Sequence, residues 1–116
     1  MRKRLTKSER KMVYDKTGGR CAYCGCTISF DEMQVDHVIS LHNHGVDEIG
    51  NMLPACRECN YYKRGSNPDG FRRKLKKAFA KERKCDFVQR LERKYANWKG
   101  RFYYEGKIVI CQQFEQ

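Results

Sequence analysis

The chain has 116 residues, of which 40% are hydrophobic and 34% are charged. Its mass of 13.8 kDa and its mean hydropathy of −0.89 are typical of one small soluble domain with a thin core. No apolar run approaches the roughly 18 residues that a membrane span requires, so the composition argues against a membrane protein and we expect a cytoplasmic location.

The charge is distributed unevenly along the chain. The formal net charge is +11, from 25 Lys and Arg against 14 Asp and Glu. Residues 1–60 hold 9 basic and 8 acidic side chains, residues 61–101 hold 15 and 4, and residues 102–116 hold 1 and 2. A concentrated basic segment predicts a polyanionic partner, because Lys and Arg neutralise phosphates. The simpler alternative is a solvated helix face that only aids solubility.

Four short elements are predicted in the first part of the chain. Thr6 and Glu9 have the spacing of a capping box, and they predict a helix from about Lys7 to Lys16. The β-branched run over residues 34–39 predicts a short strand. Residues 51–54 predict a second strand that ends at a proline, and residues 56–64 predict a short helix.

Beyond residue 68 the apolar residues recur with helical spacing. Phe71, Leu75, Ala78 and Phe79 share one face of a predicted helix. Asp86 is a predicted cap for a further helix, whose apolar residues reach Trp98, and we interpret the aromatic residues as core contacts rather than a base-stacking platform. Residues 102–110 predict a hairpin that turns at 105–106.

Four of the seven cysteines form two Cys-x-x-Cys pairs. These pairs, Cys21 with Cys24 and Cys56 with Cys59, argue against disulfides and for metal ligation in a reducing compartment. Four thiolates suit a structural Zn²⁺, because they leave no position for water. Buried or redox-active cysteines without a metal are the alternative.

The remaining cysteines are assigned less directly. Residues 21–25 predict a tight turn, which we call the knuckle. Cys26 lies close enough to Cys24 to be an alternative ligand, although its spacing fits the knuckle less well. Cys85 and Cys111 stand alone in the sequence, and we predict that both are small buried hydrophobic residues.

The residues between and beside the cysteine pairs have the chemistry of a hydrolytic site. Asp36 and Asn60 offer hard oxygen ligands for Mg²⁺, and His37 lies next to Asp36, where it can act as a general base. Consecutive residues of a strand point to opposite faces, so both reach one site only if the strand ends or bends there. Lys63 and Arg64 follow Asn60 by three and four residues and are candidates for phosphate binding, or else solvated charges at a helix end.

These motifs resemble the HNH family, also called ββα-metal or His-Me finger nucleases. The resemblance covers about residues 20–65. It implies that His37 is the general base, that Asp36 and Asn60 hold a catalytic Mg²⁺ or Mn²⁺, and that Asn51 orients the base. It further implies a hydrolase that cuts the phosphodiester bonds of DNA, as an endonuclease or a nickase.

The predicted fold is α+β, a single HNH nuclease domain over residues 1–116. It has a ββα-metal core at 20–65 stapled by zinc, an N-terminal helix, a basic helical extension at 69–101 and a C-terminal hairpin at 102–112. The expected partner is DNA, bound largely through its phosphate backbone, and no membrane.

Several alternatives stay open at this stage. The function can instead be that of a non-catalytic zinc-stabilised module that binds nucleic acid, or of a nuclease that acts on RNA or single strands. A homodimer, or a larger phage or restriction assembly in a prokaryotic or phage-encoded setting, is also compatible with the sequence.

Overall fold

The described part of the chain combines a two-stranded antiparallel sheet with four α-helices, as the α+β prediction requires. The computed structural model describes residues 4–108 and residue 110. In chain order the elements are α1 (Lys7–Asp15), β1 (Gln34–His37), β2 (Met52–Ala55), α2 (Arg57–Lys63), α3 (Pro68–Phe79) and α4 (Asp86–Lys94). Two 3₁₀ turns, Leu41–Asn43 and Ile49–Asn51, lie between the strands. In this part of the chain no helix is long and apolar enough to cross a membrane.

Helix α1 begins at the predicted capping box. The Thr6 hydroxyl accepts a hydrogen bond from the Glu9 backbone N–H, and the Glu9 carboxylate accepts one from the Thr6 N–H, both at 3.0 Å. Val13 of this helix is buried, and it packs with Met33 and Met52. The helix therefore closes one end of the sheet with a small apolar cluster.

The two strands and helix α2 form the ββα unit. β1 pairs antiparallel with β2, so that Asp36 lies opposite Leu53 and His37 opposite Met52. β1 ends at His37, two residues earlier than the sequence predicts. α2 follows β2 after a single residue, and the cysteine knuckle attaches to β2 through a 2.8 Å hydrogen bond from the Ala22 N–H to the Pro54 carbonyl.

The basic extension packs on this unit through its apolar face. Asn67 caps α3 by accepting a hydrogen bond from the Gly70 N–H at 2.8 Å, and the predicted core residues Phe71, Leu75 and Ala78 are buried. Phe79 is partly buried against the same cluster. The extension therefore folds onto the ββα unit with most of its basic residues exposed to solvent.

Helix α4 is shorter than predicted, and its cap differs. Cys85 is the N-cap residue and Asp86 the first helical residue, while the helix ends at Lys94. Tyr95 and Trp98 lie in the turn that follows, and they remain core contacts. The prediction that Cys85 is buried is wrong: a residue at the N-cap leads into the helix from the loop side, and Cys85 is exposed. Cys111 lies outside the described residues.

The predicted C-terminal hairpin over residues 102–112 is wrong for the part that the structure describes. Residues 103–107 form a turn and no strand is found there. The N–H groups of Tyr103 and Tyr104 bond instead to the carbonyls of Tyr23 and Ala22, at 3.1 and 2.8 Å. The backbone thus bonds to the knuckle at Tyr103 and Tyr104, and its bonds within the segment are those of a turn, such as Glu105 N–H to the Phe102 carbonyl at 3.0 Å. Residue 109 and residues 111–112 lie outside the described residues.

An aromatic cluster joins the knuckle to the extension. The Tyr23 ring makes edge contacts with Phe71, Phe102 and Tyr104, at centroid distances of 5.4, 5.1 and 5.8 Å. Trp98 stacks on Phe102 at 5.7 Å. Edge-to-face pairs of this kind stabilise a core beyond the area they bury, and here they compensate for the small size of the domain.

Candidate active site and metal centre

The four predicted cysteines form one cluster. The Sγ atoms of Cys21, Cys24, Cys56 and Cys59 all lie within 4.8 Å of one another, and the Cys24 and Cys56 sulfurs are 3.9 Å apart. Metal–sulfur bonds of 2.3 Å in a tetrahedron give a sulfur–sulfur distance of about 3.8 Å, whereas a disulfide bond is about 2.05 Å long. The donor set therefore fits a tetrahedral metal ion.

A fifth cysteine, Cys26, lies beside the cluster, where its thiol interacts with those of Cys24 and Cys56. Cys26 is outside the group, and its sulfur lies 3.5 Å from the Lys94 ammonium. The Tyr95 hydroxyl lies 3.0 Å from the Cys59 sulfur, as a donor to a thiolate would. Gly25 has a φ of 83°, the left-handed conformation that the tight knuckle requires.

A cavity of about 330 Å³ lies at the end of β1. The predicted site residues Asp36, His37, Asn60 and Arg64 all line it, together with Val35, Ser40 and Leu41. Asp36 and His37 are consecutive residues of β1, whose side chains alternate between the two faces of the strand, yet both line this cavity. The structure thus brings together the acid and the base of β1 and two residues from the end of α2.

The imidazole of His37 has a carboxylate partner that the sequence analysis missed. The His37 Nε2 lies 2.8 Å from the Asp47 Oδ1, and His37 is only 8% exposed. Asp47 comes from the loop between the two 3₁₀ turns. The one signal in the sequence is that this loop has two acids, Asp47 and Glu48, and no periodic spacing links either of them to His37.

Asn51 has a different partner from the one that the family resemblance implies. Its amide group donates to the carbonyls of Ile39 and Val46, both at 2.9 Å, and its oxygen accepts from the Ile39 N–H at 3.0 Å. It is fully buried. Asn51 therefore ties together the loop that carries Asp47, and in this arrangement its action on the His37 ring is indirect.

Asp36 lies in a buried ion pair with Lys63. Its Oδ2 accepts a 2.5 Å hydrogen bond from the Tyr23 hydroxyl and is 3.2 Å from the Lys63 Nζ, while Oδ1 is 3.4 Å from that ammonium. Burial raises the pKa of Asp36, and the positive charge of Lys63 opposes this rise. Oδ1 keeps lone pairs for a further ligand, since a carboxylate offers about four acceptor sites.

The expected contact of Lys63 with a phosphate does not fit its position. Lys63 is fully buried, and its ammonium also donates to the carbonyls of His37 and Val38, both at 3.2 Å. Lys63 and Arg64 follow Asn60 by three and four positions and lie on one side of α2. Lys63 is at the edge of that side that faces the protein interior. The Lys63 ammonium therefore holds the end of β1 instead of facing solvent.

Arg64 and Asn60 face the cavity from α2. Arg64 is exposed and has a φ of 50°, which turns the chain out of the helix, and its guanidinium lies 4.7 Å from the centroid of the Tyr61 ring. Asn60 is partly exposed, and among the described residues its carboxamide makes no hydrogen bond. Its oxygen is therefore available to a bound ligand.

Comparison with known proteins gives one family. Residues 21–64 match the model described as HNH endonuclease, which confirms the resemblance over those residues. No curated protein matches the chain. A solved structure, "Crystal structure of the Type II-C Cas9 enzyme from Actinomyces naeslundii", is similar with 16% identity and a TM-score of 0.47. That match covers 81% of this chain and 13% of the enzyme, and at this level it carries no argument about function.

Proposed function

We propose that the chain, whose residues 21–64 carry the HNH endonuclease match, is a metal-dependent DNA endonuclease or nickase that hydrolyses phosphodiester bonds. The observation that carries this proposal is the cavity in which His37 lies beside Asp36, Asn60 and Arg64. A base, two oxygen donors and a cation around one space are the groups that phosphodiester hydrolysis needs.

His37 is the proposed general base. Its Nε2 faces Asp47, so the neutral imidazole carries its proton on Nε2 and presents the lone pair of Nδ1. Nδ1 can then take the proton of the attacking water, a contribution of roughly 10² to 10⁴ in rate. Asn51 supports this geometry by holding the loop in place.

Asp36 and Asn60 are the proposed ligands of the catalytic ion. A carboxylate and a carboxamide oxygen on the wall of one cavity form a donor set that suits Mg²⁺ or Mn²⁺. When bound, such an ion supplies positive charge that stabilises the developing charge on the phosphate oxygens. Tyr23 and Lys63 hold Asp36 in place, and Arg64 is the remaining candidate to bind the phosphate from the solvent side.

The four-cysteine cluster is the proposed site of a structural Zn²⁺. Soft thiolate ligands in a tetrahedral set favour zinc, and a sphere closed by four cysteines leaves no position for water. The ion would fix the knuckle to the start of α2, the helix that carries Asn60.

The basic extension is the proposed docking surface for the DNA backbone. Its exposed cations are Arg73, Lys76, Lys77, Lys81, Arg83, Arg90, Arg93, Lys99 and Arg101. Others have internal partners: Arg72 pairs with Asp69 and Glu105, and Lys74 bonds to the Tyr62 carbonyl. The charge excess is therefore partly structural, and the exposed part is what a phosphate backbone would meet.

A second candidate function is a non-catalytic module that binds nucleic acid. The observation that favours it is the ion pair of Asp36 with Lys63, because a buried pair also explains an acid at this position without any catalytic ion. The alternative retains the zinc and the basic surface, and it predicts binding without cutting.

Cleavage of supercoiled plasmid separates the two functions. We expect zinc-loaded protein to relax or linearise the plasmid when Mg²⁺ or Mn²⁺ is added, and the His37→Ala variant to lose at least about 10²-fold in rate while it keeps its zinc. Omitting the added metal is a better control than EDTA, which would also remove zinc. His42→Ala, an exposed histidine of the neighbouring turn, is the matched control and should cut normally. Binding without cutting under either metal would establish the module instead.

A further inference from the structure

An exposed aromatic ring lies next to the candidate active site. Tyr61 is 56% exposed and follows Asn60 on α2. Within the described ranges, the other exposed large hydrophobic side chains are Met12, at 56%, and Val46, at 41%, and neither is aromatic. A tyrosine that presents more than half of its surface to solvent does little for the core, so its position needs another explanation.

The neighbours of Tyr61 are aromatic and cationic. The Phe87 ring lies nearly perpendicular to that of Tyr61, at 77° and a centroid distance of 5.4 Å, and the Arg64 guanidinium lies 4.7 Å from the Tyr61 centroid. Arg90 lies 5.6 Å from the Phe87 centroid. Tyr61, Phe87, Arg90 and Arg57 line one cavity of about 680 Å³. We name these five residues the aromatic–arginine surface.

The chemistry of this surface suits a nucleobase with its phosphate. A flat ring that is open to solvent can stack on a base, an interaction of about 1–3 kcal/mol, and guanidinium groups beside it can bind the backbone. The one acid of the cavity wall, Glu58, lies 3.8 Å from the Lys94 ammonium, which offsets its charge. The surface is therefore cationic overall, as a polyanion requires. A base inside a duplex does not present its face, so the surface selects an unpaired base.

Arg64 connects the aromatic–arginine surface to the catalytic cavity. It lines the cavity that His37 and Asn60 also line, and it lies over the Tyr61 ring. A nucleotide stacked on Tyr61 would thus be a near neighbour of a phosphate held at Arg64. We infer that Tyr61 is a stacking site for an unpaired base of DNA next to the scissile phosphate, so that the enzyme prefers DNA with a single-stranded segment beside the cut. This inference rests on the proposed nuclease function.

Binding to two matched DNA probes tests the inference. One probe is a blunt duplex and the other is the same duplex with an unpaired tail, and affinities are measured by fluorescence anisotropy on zinc-loaded protein without added Mg²⁺. We expect the wild type to bind the tailed probe more tightly. Tyr61→Ala should lose about tenfold in affinity for the tailed probe, the effect of one lost stack, and nothing for the blunt probe.

Further variants separate stacking from simple apolar contact. Tyr61→Phe should keep the preference, because the ring remains, whereas Tyr61→Leu should lose it as Tyr61→Ala does. Met12→Ala, an equally exposed apolar residue on α1, is the control and should have no effect. A fluorescent base analogue in the tail should be quenched by the wild type and not by Tyr61→Ala.

The inference and the proposed function can fail separately. Equal affinity of the wild type for both probes, or an equal loss by Tyr61→Ala on both, would overturn the stacking site, and a role of this surface in binding another protein would then be the better explanation. Plasmid cleavage that depends on His37 would still establish the nuclease. Conversely, a tail-specific loss in a protein that never cuts would retain the base site and reject the nuclease.

Discussion

In the proposed mechanism, the contact between the His37 Nε2 and the Asp47 carboxylate would decide which imidazole nitrogen is basic. With a carboxylate at Nε2, the proton stays on that nitrogen and Nδ1 is the acceptor. The carboxylate also stabilises the imidazolium that forms when the proton is taken. We therefore propose Asp47 as a positioning residue for the base, supported in turn by the loop contacts of Asn51.

Asp47→Asn should lower the cleavage rate by at least about tenfold with little change in DNA affinity. An asparagine that turns its NH₂ group toward Nε2 forces the proton onto Nδ1, which is the wrong tautomer for the base. Initial rates of plasmid nicking at saturating Mg²⁺ measure the effect. Glu48→Gln, the exposed acid next in sequence, is the matched control. Equal rates for Asp47→Asn and the wild type would remove Asp47 from the mechanism.

At the residue scale, local motifs made part of the site predictable. Spacing along the chain predicts His37, Asp36 and the four cysteines as site residues, and the structure places the first two on one cavity and the four thiols in one cluster. Asp47 was missed because a loop has no period from which its direction can be inferred. Helical spacing predicts that Lys63 and Arg64 share a side of α2 with Asn60. It does not show which part of that side the rest of the fold covers, and for this reason Lys63 was predicted at the surface.

At the scale of elements, Lys63 joins the last turn of α2 to the end of β1. Its ammonium contacts the Asp36 carboxylate and the carbonyls of His37 and Val38. These groups lie at the end of the strand, beside the cavity that Asp36 and His37 line. The helix therefore fixes the strand end through one buried cation.

Lys63→Met should destabilise the fold by about 3–5 kcal/mol, because it leaves the Asp36 carboxylate buried without its cation. Urea denaturation followed by circular dichroism measures the loss. The double variant Lys63→Met with Asp36→Asn should recover part of it, since the unpaired charge is then gone. Arg64→Met, its exposed neighbour, should change stability by no more than about 0.5 kcal/mol. A Lys63→Met loss as small as that of Arg64→Met would show that the ion pair does not stabilise the fold.

Elements were predictable where a cap or a period fixed them. The Thr6–Glu9 box placed α1, and the apolar spacing of α3 gave its buried face. The C-terminal hairpin failed for a tertiary reason: aromatic and β-branched residues flank the predicted turn at 105–106, but the N–H groups of Tyr103 and Tyr104 bond to carbonyls of the knuckle. The composition of a segment does not show which backbone will supply its hydrogen bonds.

At the scale of the whole molecule, a metal ion at the four-cysteine cluster would supply the stability that a short chain lacks. Its ligands come from the knuckle and from the region where α2 begins, two segments that are distant in sequence. A structural zinc can contribute on the order of 10 kcal/mol to folding, which is comparable to the whole stability of a typical domain. The candidate active site, built from β1 and α2, depends on the same connection.

We expect one equivalent of zinc per chain, and removal of that zinc should abolish cooperative thermal unfolding. Metal analysis of freshly purified protein and melting curves with and without a strong chelator measure both effects. Cys24→Ser should reproduce the chelator result, whereas Cys26→Ser, the neighbouring cysteine outside the cluster, should keep its metal. Folded wild-type protein with a metal content near zero would contradict the proposed structural zinc site.

The position of the cysteine cluster also changes the topology of the chain. The backbone leaves the cluster at Cys24 and returns to it at Cys56, so coordination bonds would close the residues between them into a ring. The exposed turn around His42 and His44 lies on this ring. A single protease cut there would open the ring without dividing the molecule, since each fragment would keep two of the four sulfurs. The two halves of the site, His37 on one fragment and Asn60 on the other, would then be held together by the metal and by packing instead of by a continuous peptide chain.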